Sequence, residues 1–326
     1  MVKDEVLQAL EACRGARLSG GKLAEKLGVS RAAIWKAVES LRTDGLQIDA
    51  APGGYCLDSS DDSLTEPGIA ALLHTKCLGH KLLVMRQTDS TNTALKQDYA
   101  DQPEGFTLLA QTQTAGRGRL GRSFYSPPGG GLYMSVLLRP QLPLAQFNLL
   151  TLAAAVAVCR AINACCGLSP TIKWVNDILL DGKKLCGILT EAAVEGETGA
   201  IHYAIVGIGV NLRLDHTSLP DALRPVAGAL ADFTSQVPRR AALAAAILEQ
   251  LERTYACLSA GQTAPILDAY RAHLCYIDQP IRVLSPSGAY EAICRGINDQ
   301  GNLLIERPDG TRDVLQSGEI STRPVC

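Results

Sequence analysis

The chain has 326 residues, enough for two or three domains with ample buried core. Its 31 basic and 33 acidic residues leave a formal charge of −2, which excludes a broadly polybasic nucleic-acid coat, so any nucleic-acid contact must be local. With 47% apolar and 5% aromatic residues, and a charged start Met1-Val2-Lys3-Asp4-Glu5 without a signal-peptide run, it reads as an ordinary cytoplasmic protein with no membrane span.

The first segment, 1–60, reads as a winged helix-turn-helix. Val6, Leu7 and Leu10 give an opening helix its apolar stripe, and Ser19 caps a second helix with Leu23, Ala24 and Leu27 inward. Gly28 turns the chain, Ser30 caps a third helix, and Ile34, Val38 and Leu41 supply its buried face. Leu46 to Ala50 and Tyr55 to Leu57, joined at Pro52-Gly53-Gly54, form a two-stranded wing. If the third helix enters a major groove, Ser30, Arg31, Lys36 and Arg42 are its exposed DNA contacts; the alternative is a winged helix used for protein contacts. Asp58-Ser59-Ser60-Asp61-Asp62-Ser63 has nothing to bury and reads as a linker.

The segment 65–272 alternates helical and strand patterns, an α/β arrangement. Strands are predicted at Lys81–Arg86, Phe106–Thr112, Leu132–Arg139, Thr171–Val175, Ile178–Leu180, Lys184–Glu191 and Ile201–Leu212, and helices at Thr93–Tyr99, Asn148–Cys166 and Arg240–Cys257. The apolar run from Leu149 to Cys166 is interrupted by Arg160 and Asn163, which favours a buried helix over a membrane span. From 275 to 326, short alternating strands with turns at Pro286-Ser287-Gly288 and Pro308-Asp309-Gly310 suggest a small antiparallel barrel.

Residues 116–122, Gly-Arg-Gly-Arg-Leu-Gly-Arg, place three permanent cations on a flexible backbone. Guanidinium forks match carboxylate and phosphate geometry, so such a loop suits two anions that repel each other in water. Gly116, Gly118 and Gly121 also satisfy G-x-G-x-x-G, but the dinucleotide fingerprint needs a helix immediately after, and Ser123 to Gly131 with two prolines and three glycines cannot open one. On its own the heptad is equally compatible with a solvated basic turn.

Three further motifs belong with it. Lys173-Trp174-Val175-Asn176-Asp177 offers a point charge for phosphate and hard oxygens for Mg²⁺. Lys184 to Ile188 returns a second lysine across the Asp181-Gly182 turn. Ser90-Thr91-Asn92, at a helix start, and Gln113 offer polar groups to an uncharged head group. Each has a plain structural alternative as a cap or turn. The eleven cysteines contain no C-x-x-C pair and the five histidines are scattered, so no zinc site is expected; Cys186 reads as core and not as a nucleophile.

With these motifs in this order, the chain resembles the biotin–protein ligases of the bifunctional kind, which also repress transcription. The resemblance rests on Ser30 to Ile34, Ser90-Thr91-Asn92, Gln113, Gly116 to Arg122, Lys173 to Asp177, Lys184 to Leu189, Val206 to Asn211 and Gly318-Glu319-Ile320-Ser321, and it covers essentially the whole chain. It implies a central α/β domain akin to class II aminoacyl-tRNA synthetases and lipoate ligases, followed by a C-terminal SH3-like β-barrel.

It also implies roles for residues. Ser90, Thr91, Asn92 and Gln113 would meet biotin's polar end. Arg117, Gly118 and Arg119 would close over its carboxylate and the adenylate phosphate, and Lys184 would contact the biotin carboxyl region. Lys173 and Arg122 would meet ATP phosphates, with Arg119, Phe124, Asn176 and Asn211 completing the ATP site and Asp177 near Mg²⁺. Arg117, Arg119, Lys173 and Lys184 would carry catalysis. The implied partners are a biotin carboxyl carrier domain, operator DNA and a second copy of the chain in a ligand-promoted homodimer. Where the family usually has Pro and Trp, this chain has Val175 and Phe124, and its wing turn lacks a lysine often found there. Two other readings share the fold: a ligase of a related acid such as lipoate, and a biotin-sensing repressor without ligase turnover.

Overall fold

The computed structural model describes residues 2–196, 199–285, 288–316 and 319–321. The Pro286-Ser287 part of the expected turn, Gly318 of the terminal motif and Cys326 lie outside the described residues.

Three helices, α1 (Val2–Ala12), α2 (Gly20–Leu27) and α3 (Arg31–Thr43), precede a hairpin of β1 (Ile48–Ala51) and β2 (Gly54–Leu57). The helix boundaries follow from capping chemistry. Ser19 Oγ accepts from Lys22 N, Ser30 Oγ accepts from Ala33 N at 3.1 Å, and Gly28 closes α2 with φ 65°. Val6, Leu7, Leu10, Ile34, Val38 and Leu41 meet in a separate small core. Tyr55 in the wing bridges Leu18. That approach needs the glycine at 54, where a Cβ would lie 1.9 Å from Leu18 O.

The expected linker is a fastened connector instead. Asp61 is 2% exposed and accepts from Gln47 N (2.6 Å) and Ser63 N (2.7 Å). Arg14 donates to Asp58 O and Asp61 O and forks onto Glu11 at 2.9 and 2.7 Å. Asp62 Oδ1 accepts from Arg240 N at 2.6 Å and its Oδ2 from Arg240 Nε at 3.2 Å. These carboxylates accept from backbone and guanidinium donors, which is the condition for a carboxylate to leave water.

The middle of the chain adds α4 (Glu66–Ala70), β3 (Leu82–Met85), α5 (Thr91–Asp98), β4 (Thr107–Ala110), β5 (Gly131–Leu138), α6 (Asn148–Cys166), β6 (Thr171–Lys173), β7 (Asp177–Leu180), β8 (Lys183–Val194), β9 (Ile201–Asn211), α7 (Arg240–Ser259) and α8 (Ala264–His273). The seven strands form one mixed sheet in the order β3-β4-β5-β9-β8-β7-β6, with only β3–β4 parallel. Helix α6 is apolar on all sides and buries 13 of its 19 residues, so its membrane-like length and hydropathy serve a core position. Helices α4 and α8 escape the periodicity reading; α4 is five residues long, and α8 opens on Pro265 at its first turn.

The last segment gives β10 (Pro280–Ser285), β11 (Gly288–Ile297), β12 (Leu303–Glu306), β13 (Arg312–Leu315) and β14 (Glu319–Ser321), an antiparallel sheet in the order β13-β12-β11-β10-β14. It shares one continuous core with the middle sheet, through Ile281, Val283, Ala292, Leu303 and Ile305. Gly301, at φ 74°, brings its carbonyl to Trp174 Nε1 (3.0 Å); a Cβ there would strike Leu152 at 2.6 Å.

Candidate functional site

A cavity of about 380 Å³ opens across strands β9 to β6. Its walls include Ser90, Thr91, Asn92, Gln113, Arg117, Gly118, Arg119, Arg122, Phe124, Lys173, Asn176, Asp177 and Lys184. The sequence motifs, up to 94 positions apart, therefore share one concavity. Asn211 is not on this wall: its Nδ2 donates to Gly228 O (2.9 Å) and Lys184 O (3.3 Å), so it fastens the segment behind Lys184.

The floor is built on glycines. Gly207 pairs with Ser135 and Leu189, and Gly209 with Tyr133 and Gly187. A Cβ at Gly207 would sit 2.2 Å from Asn92 Oδ1, and one at Gly209 2.6 Å from the Phe124 ring. Alternate glycines on one strand thus let the Asn92 amide and the Phe124 ring lie close against the main chain, where both help to line the cavity.

At the α5 end, a hydrogen-bond chain fixes the polar groups. Ser135 Oγ lies 2.7 Å from both Thr91 Oγ1 and Asn92 Oδ1. Thr91 N donates to Gln113 Oε1 (2.8 Å), and Gln113 Nε2 donates to Ser126 Oγ (2.9 Å). Asn92 Nδ2 donates to Leu189 O (3.1 Å) and Glu191 Oε2 (2.8 Å). Asn92 is thus a rigid strut. Ser90, expected as a cap, makes no side-chain capping bond, so its buried hydroxyl faces the cavity uncommitted to the helix.

The Gly/Arg heptad folds back on itself as a short hairpin. Gly118 N donates to Arg122 O (2.7 Å) and Phe124 N to Gly116 O (2.8 Å), while Arg117 bridges Ser123. Gly116 has no room for a Cβ, which would lie 2.4 Å from Phe124 O. No helix follows, in agreement with the rejection of a dinucleotide loop; the next element is β5. At the tip Leu120 has φ 56° and is 76% exposed. Arg117 Nη1 reaches Glu191 Oε1 at 3.5 Å and Arg119 Nη1 reaches Asn176 Oδ1 at 3.4 Å, which aims both guanidinium groups along the cavity.

Five cationic side chains and one carboxylate, Asp177, line the walls. With Glu191 paired to Arg117 beside the wall, the excess is three positive charges, in a chain of net charge −2. Two unit anions 4 Å apart repel by roughly 4 kcal/mol at an effective dielectric near 20, a cost such a wall offsets. Lys184 Nζ contacts Asp177 Oδ1 at 2.6 Å. Among the described residues no three His, Cys, Asp or Glu side chains cluster to cage a metal ion. With Asp177 Oδ1 on Lys184, the donor set fits a Mg²⁺ that arrives on phosphate groups and takes a single protein carboxylate. Burial pushes the thiol of Cys159 up to about 12 and that of Cys186 higher still, which fits packing and not nucleophilic attack.

Sequence reasoning missed Ser135, Ser126 and Glu191, and also Leu223, Val226 and Tyr276 on the wall. The alternation Gly187-x-Leu189-x-Glu191 carries a weak signal for Glu191, since alternate strand residues share a face; the others have none in their own neighbourhood.

On α3, Ser30, Arg31 and Lys36 are exposed as expected. Arg42 is not a free contact. Its Nε donates to Ile48 O (2.8 Å) and its Nη1 to Glu39 (2.7 Å), so it ties α3 to the wing. Trp35, 54% exposed beside Lys36, was not foreseen.

Comparison with known proteins gives three matched families: "HTH domain" over residues 3–56, "Biotin/lipoate A/B protein ligase family" over 84–211, and "Biotin protein ligase C terminal domain" over 276–323. The chain is 35% identical over 304 residues to the bifunctional ligase/repressor BirA of Bacillus subtilis (strain 168), covering 92% of each. It is 31% identical over 310 residues to its namesake in Escherichia coli (strain K12), covering 94% of this chain and 92% of that one. A solved biotin protein ligase from Aquifex aeolicus in complex with biotin and ATP superposes with TM-score 0.65 at 27% identity, over 75% of this chain and 99% of the other.

Proposed function

The chain belongs to the bifunctional ligase/repressor family, and from that premise we propose that it joins biotin to a lysine of a biotin carboxyl carrier domain and represses transcription through its winged helix. Substrates are biotin and ATP, with Mg²⁺ entering on the nucleotide. The division of labour runs 1–60 for DNA, 65–272 for chemistry and 275–326 for a supporting domain.

The observation that carries the reading is the order of groups across the sheet. The hydrogen-bonded polar end lies over β5 and β9, Lys184 stands on β8, and Lys173 on β6. Strands are spaced about 4.8 Å apart, so an extended ligand crossing them meets amide and hydroxyl groups, then one cation, then another. That sequence fits biotin's ring, its carboxylate and the phosphates of ATP.

In the first step the biotin carboxylate attacks the α-phosphorus of ATP. The bond from that phosphorus to the bridging oxygen breaks, and pyrophosphate leaves with the electron pair. Arg117, Arg119 and Lys184 lower the repulsion between the two anions and hold them in line. Mg²⁺, when bound, neutralises charge on the phosphates. In the second step an acceptor lysine amine attacks the adenylate carbonyl, AMP departs, and the amine loses its proton. Leu223 and Val226 offer an apolar wall for the nucleotide base. The lysines act as cations, and no enzyme nucleophile is required.

Ser30, Arg31 and Lys36 would meet operator DNA, and a homodimer promoted by the adenylate would set two α3 helices at two-fold spacing. Ten free thiols among the described residues suit a reducing cytoplasm. Mass spectrometry of a carrier domain incubated with biotin, MgATP and the protein tests the ligase: a single added biotinyl group on lysine is expected. No adduct, with operator binding that still responds to biotin, would favour a sensor; preferential lipoate incorporation would favour the related acid.

A further inference from the structure

We propose that Tyr276 is a binding residue for the β- and γ-phosphates of ATP, supplied to the cavity from beyond the α/β layer. The proposal rests on the ligase reading above and adds a residue to its first step.

Tyr276 is the one wall residue that lies after position 226 among those described. The segment carrying it runs beside β6: Leu274 bridges Ile172 in parallel, and Cys275 N donates to Ile172 O at 3.0 Å. Tyr276 follows directly, so it lies one spacing beyond β6 and four strand spacings, or about 19 Å, from the Gly207 floor. It therefore stands at the phosphate end of the cavity, far from the polar end fixed by Ser135 and Asn92.

The backbone there is unusual. Tyr276 has φ 66° and Asp278 φ 58°, two side-chain-bearing residues in the left-handed region within three positions. An aromatic residue seldom adopts this conformation unless its surroundings enforce it. Here they do. Gln279 N donates to Tyr276 O (3.0 Å), Asp278 N donates to Cys294 O (2.8 Å), and Asp278 Oδ1 pairs with Arg295 Nη1 (2.5 Å). Strand β11 thus braces a turn that holds Tyr276 on the cavity wall, with the side chain also packed against the core. A structural turn alone would be served better by glycine or asparagine.

A phenolic O–H at this end of the cavity is a neutral donor suited to a phosphate oxygen of bound ATP. No proton moves: the hydroxyl donates a hydrogen bond and keeps its hydrogen.

The test separates the two half-reactions in wild type and Tyr276→Phe. Pyrophosphate release is followed with biotin and MgATP, and transfer is followed from supplied biotinyl-adenylate to a carrier domain. The expected result is a KM for ATP raised about tenfold, the usual weight of one hydrogen bond to a charged group, with the transfer rate unchanged. Unchanged pyrophosphate release would overturn the proposal. So would an equal loss in both half-reactions, which would place Tyr276 against the adenosine or the fold. Tyr276→Asn, which accepts the left-handed backbone, repeats the measurement if the phenylalanine variant melts early. Wild type that releases no pyrophosphate would instead refute the ligase reading.

Discussion

Lys184 Nζ stands 2.6 Å from Asp177 Oδ1 across neighbouring strands, where a bulge between Ile178 and Leu179 shifts the β7–β8 register. The bulge sets Lys184 opposite Leu179 while Gly187 faces Asp177, so the ammonium group reaches over Gly187. Carboxylate and ammonium hold each other in place until a substrate anion arrives. Replacing Lys184 with Met removes the cation and keeps the stem. Adenylate formation should slow about 10²- to 10³-fold, the scale for losing one charge-stabilising donor, with folding intact by circular dichroism. A normal rate would remove Lys184 from the chemistry.

Gly207→Ala tests the floor. Its Cβ would fall 2.2 Å from Asn92 Oδ1, and Asn92 is held by three hydrogen-bond partners and unable to yield. Overpacking of this kind costs about 1–3 kcal/mol, or about 2–4 °C in Tm per kcal/mol for a chain of this size. The KM for biotin should rise, with less change in the KM for ATP; steady-state kinetics against each substrate would reveal a different pattern.

Asp62→Ala probes the connector. Asp62 holds Arg240 through two oxygens and lies 3.6 Å from Arg213, which follows the Asn211 strand end. The variant should biotinylate a carrier domain at the normal rate. Its operator affinity should fall severalfold and protease should cut between 58 and 65 sooner, because the winged helix loses its fixed bearing. Gel-shift titration and timed proteolysis would decide; unaltered values in both would mean the clamp is ornamental.

Glu252 accepts from the backbone N–H groups of Lys76 (2.7 Å), Cys77 (2.7 Å) and Leu78 (3.0 Å). Desolvation opposes its charge, but the three donors together hold its carboxyl below the usual value. A carboxyl depressed in the folded state lends stability above its unfolded pKa, near 4.3, and loses it as pH falls through the folded value. Glu252→Gln should therefore be less stable than wild type at pH 7, by about 1 kcal/mol for a part-exposed carboxylate, with the gap closing below about pH 4. A gap that persists undiminished at pH 3 would contradict the sign.

Local chemistry was legible in the residues. Ser19, Gly28 and Ser30 bound their helices, α6 begins at Asn148 and ends at Cys166, and the cationic heptad, both lysines and Gln113 reach one cavity. What the sequence concealed depends on distant partners. Asp61 and Asp62 look solvated until Gln47 and Arg240, 14 and 178 positions away, are brought to them. Arg42 looks like a free contact until the wing folds over it. Asn211 sits in a family motif yet spends its amide on Gly228 and Lys184. No window of neighbouring residues contains those contacts.

The Arg117–Arg119 hairpin lets a carboxylate approach a phosphate by cancelling their repulsion. Single-turnover formation of biotinyl-adenylate by an Arg117→Gln/Arg119→Gln double variant, at saturating biotin and MgATP, measures it most directly. The rate should fall at least about 10²-fold below wild type with an unchanged melting temperature. A wild-type rate in that variant would contradict it.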